Sequence, residues 1–402
     1  MAIGGERGRK LRHPHDAVSA VMTDTAAEER EALVDAVRDF ANAQLAPFAA
    51  ERDAQKIFPI DALEAAGELG LGGIYVREEY GSGLSRLDAV AIFEELAKGD
   101  VTVAAYISIH NMAAWMIDTF GSDDQRERWL PGMVSMRQLG AYCLTEPGAG
   151  SDAAAITTSA RREGDEYVLN GTKQFISGAG AASVYVVMAR TGGPGPAGIS
   201  TIVVEKDTPG LSFGPNEHKM GWNAQPTRQV IFDNVRVPVA NRLSEEGDGF
   251  HIAMRGLNGG RVNIGACSIG GAQWALDRAV AYVQERHAFG APLAANQSIV
   301  FTLADIETDI QAARALLERA AAKMDSGASD TAVACALAKR FATDAAFDAA
   351  NKALQLHGGY GYLQEYGIER IVRDLRVHQI LEGTNEIMRT IIGRGLLRGG
   401  KR

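Results

Sequence analysis

Apolar residues recur every three to four positions through the first third of the chain, cluster in short runs through the middle, and return to the helical period in the last third. Thr25-Ala26-Ala27-Glu28 has capping-box spacing and precedes Leu33, Val37, Phe40 and Leu45 on one helical face. Further helices are predicted from Ile60 to Leu69, Ser85 to Lys98 and Val101 to Phe120, and Ser122 opens a short one to Leu130. Near Gln138 the period changes. The runs Thr157 to Arg162, Tyr167 to Leu169, Ser183 to Arg190, Ile199 to Glu205, Leu211 to Phe213 and Gln229 to Phe232 are short and β-rich. Gly164-Asp165, Asn170-Gly171, the Gly192 to Pro196 segment and Asp233-Asn234 separate them as turns, which predicts an antiparallel sheet or small barrel. Helical periodicity resumes over Gly249 to Leu257, Arg261 to Arg286, Asn296 to Met324 and Asp330 to Leu356, with a terminal helix after Glu382.

The pattern is that of an α+β protein: a basic extension over 1–24, an N-terminal helical domain over 25–137, a middle antiparallel β-domain over 138–245 and a C-terminal helical bundle over 246–402. Such an arrangement places ligand clefts at the two domain interfaces. The extension carries Arg7, Arg9, Lys10, Arg12 and His13, but Glu6, Pro14 and Asp16 spoil an amphipathic basic helix, so disorder is expected rather than a transit peptide.

Charge and cysteine usage then narrow the function. A net charge of -9 gives nucleic-acid binding little electrostatic support. Cys143, Cys267 and Cys335 are far apart and odd in number, which fits a reducing compartment and gives neither metal-ligand spacing nor a disulfide framework. No apolar run reaches membrane-spanning length.

Three stretches carry candidate chemistry. In the first, Ile380 and Leu381 deliver Glu382 to Gly383, and Thr384 or Asn385 caps a helix with Met388, Ile391, Ile392, Gly395 and Leu396 on one face. A carboxylate in that setting is poorly solvated, so its pKa rises and it becomes a stronger base toward a C–H bond. A solvated glutamate favoured by the helix dipole is the open alternative. In the second, Tyr142 to Asp152, Pro147, Gly148 and Gly150 force a tight loop whose backbone can approach a planar or anionic ligand, with hydroxyls from Thr145 and Ser151. In the third, Lys173 to Gly178, Phe175 and Ser177 share a side if the chain is extended there, though an ordinary half-buried strand has the same pattern. His110, among apolar neighbours, is expected to be a core histidine. Trp222, Asn223 and Arg228 are either a structural turn cluster or substrate contacts. The tail residues Arg394, Arg398, Lys401 and Arg402 read as a solvated helix end.

Five motifs in order resemble the acyl-CoA dehydrogenase family: Glu146-Pro147-Gly148-Ala149-Gly150-Ser151-Asp152, Asn170-Gly171-Thr172-Lys173, Arg286-His287-Ala288-Phe289-Gly290, Leu356-His357-Gly358-Gly359-Tyr360-Gly361 and Leu381-Glu382-Gly383-Thr384. The three-part architecture is similar from Thr25 to the end. Arg190 to Pro196, Gly221 to Arg228 and Arg255 to Arg261 resemble the branch acting on isobutyryl-CoA in valine degradation. The resemblance implies FAD as cofactor and α,β-dehydrogenation of a short branched acyl-CoA, isobutyryl-CoA becoming methacrylyl-CoA. Glu382 would remove the α-proton while the β-hydrogen leaves as hydride to flavin N5. The thioester carbonyl would be polarised by the backbone N–H of Glu382 and a flavin ribityl hydroxyl, each such donor contributing about 3–4 kcal/mol.

The same resemblance places Tyr142, Leu144, Thr145, Gly150 and Ser151 along the flavin and thioester. It puts Phe175 and Ser177 against the isoalloxazine, where many relatives have Trp and Thr. Arg286, Phe289 and Gln297 would reach a neighbouring subunit's FAD, Gln355, Gly358 and Gly359 its pyrophosphate and adenine, and Thr384 and Glu386 the first subunit's FAD. Ser151, Asn258, Arg261, Leu381 and Gly383 would contact substrate, with Asn258 where many members have Asp and Leu381 where some straight-chain enzymes have Tyr. The implied partners are an electron-transfer flavoprotein and further copies of the chain in a homotetramer built as a dimer of dimers, with no nucleic acid, membrane or metal. The implied location is the cytoplasm for a bacterial source and the mitochondrial matrix for a eukaryotic one. Butyryl-CoA or 2-methylbutyryl-CoA dehydrogenation is the alternative specificity, an oxygen-reducing oxidase an alternative chemistry, and a non-catalytic nucleic-acid-binding homologue the alternative class.

Overall fold

The computed structural model describes residues 28–397. Thr25 to Ala27 of the expected capping box, the basic extension and the tail residues Arg398, Lys401 and Arg402 lie outside them. Helix α1 (28–40) runs into a π-type turn, Ala41–Leu45, and a 3-10 turn, Ala46–Phe48, before α2 (Ala49–Gln55) and α3 (Ile60–Glu68). Val37, Phe40 and Leu45 are buried, as their spacing requires. Helix α4 (Arg86–Gly99) begins at a Ser85–Asp88 capping box, and α5 (Val101–Phe120) at Asp100, whose Oδ1 accepts from the N–H groups of Thr102 and Val103. A Ser122–Gln125 box opens α6 (Asp123–Val134). This last helix runs past the predicted end at Leu130 and through Pro131, because Trp129, Leu130 and Met133 are all buried on it.

Eight strands form the middle sheet: β1 (Gly140–Cys143), β2 (Ser159–Glu163), β3 (Glu166–Ser177), β4 (Val184–Arg190), β5 (Ile199–Glu205), β6 (Leu211–Phe213), β7 (Thr227–Pro238) and β8 (Arg242–Leu243). Their order is β6-β7-β3-β2-β4-β5-β8, antiparallel but for parallel pairing of β1, and of one residue pair of β2, with β4. Two predicted turns are corrected here. Asn170-Gly171 lies inside β3 and Asp233-Asn234 inside β7, and they face each other at a register shift between Leu169 and Gly171. The Asn234 N–H donates to Asn170 Oδ1 at 2.9 Å, and Gly171 takes φ +147° beside Thr158. The preference of Asn-Gly for positive φ serves a bulge as well as a hairpin, and the bulge prevails because both strands continue to bury apolar side chains beyond it.

The second half is helical. Gly249–Glu285 is one helix, α7, where two were predicted. Asn258-Gly259-Gly260 does not break it: each glycine costs up to about 1 kcal/mol in helix propensity, but both are buried against other elements. A two-residue ladder, β9 (His287–Ala288) with β10 (Ala291–Pro292), leads to α8 (Gln297–Asp325), capped by Asn296, and α9 (Thr331–His357). Helix α10 (Ile368–Arg376) was not predicted, since its Glu/Arg-rich sequence has only Ile368, Ile371 and Leu375 as buried apolar residues. Helix α11 (Asn385–Leu397) ends the described chain. It buries Met388 but leaves Leu396 exposed at the far end of the predicted apolar face.

The main core joins α4, α5, α7 and α9 to one face of the sheet. His110 is buried there as expected, its Nδ1 accepting from the Gly140 N–H and its Nε2 facing the Met133 carbonyl, both at 2.9 Å. Trp222 and Asn223 prove structural. The Trp222 N–H donates to Asp374 at 2.6 Å, its indole N–H to His378 at 3.1 Å, and Asn223 to Asp53 at 2.9 Å, pinning the sheet to both helical regions. Among the described residues no helix is long and apolar enough to cross a membrane.

Candidate active site

Glu382 sits on a turn between the 3-10 turn Val377–Gln379 and α11 with φ +56°, followed by Gly383 at +87°. Two consecutive left-handed residues are strained for any side chain but glycine at the second position. Thr384 caps α11, its Oγ1 accepting from the Ile387 N–H at 3.3 Å, which leaves Asn385 as the buried first helical residue.

The carboxylate of Glu382 packs onto α7 at Gly260. A Cβ on that glycine would lie 2.4 Å from Oε2, so no larger residue fits while the carboxylate holds this position. Oε2 is buried and makes no hydrogen bond. Burial pushes the carboxyl up to about 7, against the opposing pull of Arg261 and Lys339. The solvated alternative therefore does not hold, although the cause differs from the one expected. Ile380 is 51% exposed and shields little; α7 and α9 supply the enclosure.

Two buried cations take the carbonyls of the turn. Arg261 Nε donates to the Glu382 carbonyl at 3.1 Å, and its Nη1 to Asn258 Oδ1 at 2.8 Å. Lys339 Nζ donates to the Gly383 carbonyl and to Asn385 Oδ1, each at 2.9 Å. The backbone N–H of Glu382 has no acceptor among the described residues. Tyr142 supplies a second unpaired buried polar atom, its hydroxyl, which burial and then the nearby Glu382 carboxylate hold in the protonated form.

The Tyr142 to Asp152 loop is anchored from beneath. Glu146 accepts from the Thr157 N–H at 2.6 Å, the Thr158 N–H at 2.9 Å and Lys173 Nζ at 2.8 Å. Burial alone would raise that carboxyl, but Lys173 and the amides hold it at about 2. Leu144 is buried and Thr145 half-buried, while Pro147, Gly148, Gly150 and Ser151 face outward, and nothing lies within 4 Å of where a Cβ on Gly148 or Gly150 would be. Facing outward on β3, Phe175 is 62% exposed and takes φ +58°. The chain is not extended there, so the expected two-residue alternation with Ser177 fails; a second register shift, between Lys173 and Ile176, turns the ring outward.

The remaining candidates fall elsewhere. Arg286, Gln355, Gly358 and Gly359 line one cavity of about 360 Å³ with Tyr282 and Tyr360. His357 stacks on Tyr282 at 4.4 Å, and the Arg286 guanidinium lies 5.7 Å from the Tyr360 ring. Phe289 and Gln297 are exposed and do not line the cavity. Glu386 is exposed on α11 and pairs with Arg389 at 3.2 Å. From Lys339, beside the Glu382 turn, to Gln355 is about 24 Å along α9. Within one chain the candidate residues thus form two separate sets.

Gly260, Lys339 and the Glu146–Lys173 pair were not singled out from sequence. Lys339 had a weak signal, a cation on the face of α9 that also carries Cys335, Ala336 and Ala342. Gly260 had none beyond its place in an Asn-Gly-Gly run.

The acyl-CoA dehydrogenase N-terminal, middle and C-terminal domain models match residues 27–137, 141–235 and 247–397. Mitochondrial isobutyryl-CoA dehydrogenase of Bos taurus is 53% identical over 371 residues, 92% of this chain and 89% of that protein. The protein of that name from Dictyostelium discoideum gives the same figures. The structure of butyryl-CoA dehydrogenase from Megasphaera elsdenii superposes with a TM-score of 0.89 at 41% identity, covering 92% of this chain and 98% of that one. Matched along nearly its whole described length, the chain belongs to the acyl-CoA dehydrogenase family.

Proposed function

We propose that the protein catalyses FAD-dependent α,β-dehydrogenation of a short branched acyl-CoA, converting isobutyryl-CoA to methacrylyl-CoA with Glu382 as the base. The observation that carries this reading is the buried, unpaired Oε2 of Glu382 with its carboxyl pushed up to about 7. A carboxylate without partners is held ready to accept a proton. The branched substrate is supported by the names of the 53% identical relatives. A straight short chain such as butyryl-CoA is the second reading, supported by the 41% identical Megasphaera elsdenii structure.

The residues present fit FAD. An outward aromatic at Phe175, open backbone at Gly148 and Gly150 and the unpaired Tyr142 hydroxyl suit a flat polar ring system. The distant cavity, with Arg286 and stacked aromatics, suits a pyrophosphate and adenine. When bound, FAD supplies the acceptor for the substrate's β-hydride. Leu144, Thr145, Gly150, Ser151, Phe175 and Ser177 would hold its ring end, and Thr384 and Glu386 its other contacts on the same subunit. Arg286, Phe289, Gln297, Gln355, Gly358 and Gly359 would serve the FAD of a second copy. That division supports a site shared by two copies, and the family resemblance extends it to a homotetramer, with electrons passing on to an electron-transfer flavoprotein.

Glu382 takes the α-proton on its carboxylate, neither oxygen of which accepts a hydrogen bond among the described residues. Its backbone N–H donates to the thioester carbonyl oxygen, and Arg261, itself held by Asn258, fixes the peptide from the other side. Leu381 and Gly383 flank the acyl group. Enclosure by α7 and α9 keeps water from Oε2, which strengthens the interactions on that side of the carboxylate. The three free cysteines are buried, and we assign the protein to a reducing aqueous compartment.

The test is anaerobic titration of the flavin-loaded enzyme with isobutyryl-CoA and butyryl-CoA, following bleaching of the flavin band. Stronger bleaching by isobutyryl-CoA supports the branched reading, and preference for butyryl-CoA moves the protein to the straight-chain one. No bleaching by either removes the proposed activity.

A further inference from the structure

Lys339 is fully buried on α9, and among the described residues no carboxylate pairs with it. A buried ammonium without an ion pair is costly, and a purely structural hydrogen-bond donor at this position would not need a charge. Its three N–H groups have two protein acceptors, both on the segment that carries Glu382: the Gly383 carbonyl and Asn385 Oδ1. Asn385 in turn donates to Thr343 Oγ1 at 3.0 Å and Asp344 Oδ1 at 2.7 Å, and Gln379 donates to the same Asp344 atom at 2.8 Å. One turn of α9 therefore grips the chain on both sides of Glu382.

With Arg261 on the Glu382 carbonyl and Lys339 on the next, successive carbonyls of the left-handed turn are drawn onto two different helices. We propose that Lys339 is a positioning residue for Glu382: by fixing the Gly383 carbonyl it locks the turn that aims the carboxylate at Gly260, and it keeps a positive charge beside that carboxylate. This rests on reading Glu382 as the base. The charged and titratable groups facing the pair are Arg261 from α7, Tyr142 from β1, Tyr75 and Arg86 before and on α4, Cys335 and Asp344 on α9, His378 on the 3-10 turn before Glu382 and Glu386 on α11. Of these, Arg261 and Lys339 pull the Glu382 carboxyl down, so removing one leaves a single cation to oppose burial.

The experiment compares wild type with Lys339→Met, Lys339→Gln and Lys339→Arg as flavin-loaded enzymes, measuring kcat and KM for isobutyryl-CoA, or for butyryl-CoA if that is preferred, across pH 5.5 to 9. Lys339→Met is expected to lose about 10- to 100-fold in kcat per bound flavin, the cost of a misplaced catalytic group, with KM nearly unchanged. Its acid limb should move to higher pH by about one unit, because a neutral side chain no longer favours the ionised carboxylate. Lys339→Arg should restore the limb in part, and Lys339→Gln should not. The proposal is overturned if Lys339→Gln keeps both kcat and the acid limb of wild type. It is equally overturned if activity in all three variants falls only in proportion to flavin content, which would mark a folding role. A Glu382→Gln enzyme run alongside separates the two levels. If that variant stays active the base assignment fails; if it is inactive while Lys339→Gln behaves as wild type, only the role of Lys339 fails.

Discussion

The Glu382 turn and the Arg286 cavity are built on opposite principles. Around Glu382 the chain supplies everything itself: a missing Cβ at Gly260, cations at Arg261 and Lys339, and a capped helix to follow. At the other end of α9 the same chain offers a cavity open to solvent, with Phe289 fully exposed nearby in the sequence and Gln297 exposed at the start of α8. The first region is closed by residues of one copy; the second, on the proposed reading, would be completed by another. A reactive carboxylate gains from enclosure, since burial and fixed partners set its basicity. A large cofactor instead must be admitted, and a surface completed by a second copy admits it before closing.

That contrast can be broken at either end. The largest effect is expected at the closed end, where Gly260→Val puts atoms into the space of the Glu382 carboxylate. We expect kcat to fall about a hundredfold with flavin content unchanged, as for a displaced catalytic group, read from steady-state kinetics against bound flavin. At the open end the reverse is expected. Arg286→Ala should leave kcat of the saturated enzyme near wild type but weaken FAD retention about tenfold, the loss of one charge-assisted hydrogen bond, measured by flavin release on dilution. If Arg286→Ala lowers kcat without loosening FAD, the division into two regions is wrong.

A smaller effect concerns stability. Below pH 4.5 the Glu382 carboxyl is protonated in both folded and unfolded chains. As pH rises from 4.5 toward 7 the unfolded chain ionises while the folded one resists, so wild type loses stability across that window and regains none above it. Glu382→Gln removes the penalty. The flavin-free variant should therefore gain over wild type by about 2 kcal/mol more at pH 8 than at pH 5, seen in denaturant midpoints at the two pH values.

Much of this is legible in the amino-acid sequence. The helix starts at Ser85 and Ser122 were legible because the signal is local, and capping boxes form at both. Glu382 stood out for the same local reason, set between apolar neighbours and Gly383. What stayed hidden depends on distant partners. Asn170-Gly171 reads as a hairpin until Asp233-Asn234 is known to face it. Asn258-Gly259-Gly260 reads as a helix break until Arg86 and Glu382 are seen to occupy the space beside it. Ile380 reads as a shield and is mostly exposed, whereas Lys339, which grips the turn, is 43 positions before Glu382 in the sequence. Phe175 was identified but its geometry was not, because a bulge replaced the extended strand.

The base assignment is tested most directly by mixing flavin-loaded Glu382→Gln with isobutyryl-CoA under anaerobic conditions and timing the loss of the flavin band against wild type. With the base removed and the fold kept, bleaching should slow by about a thousandfold or more. Bleaching at the wild-type rate would show that another group takes the α-proton.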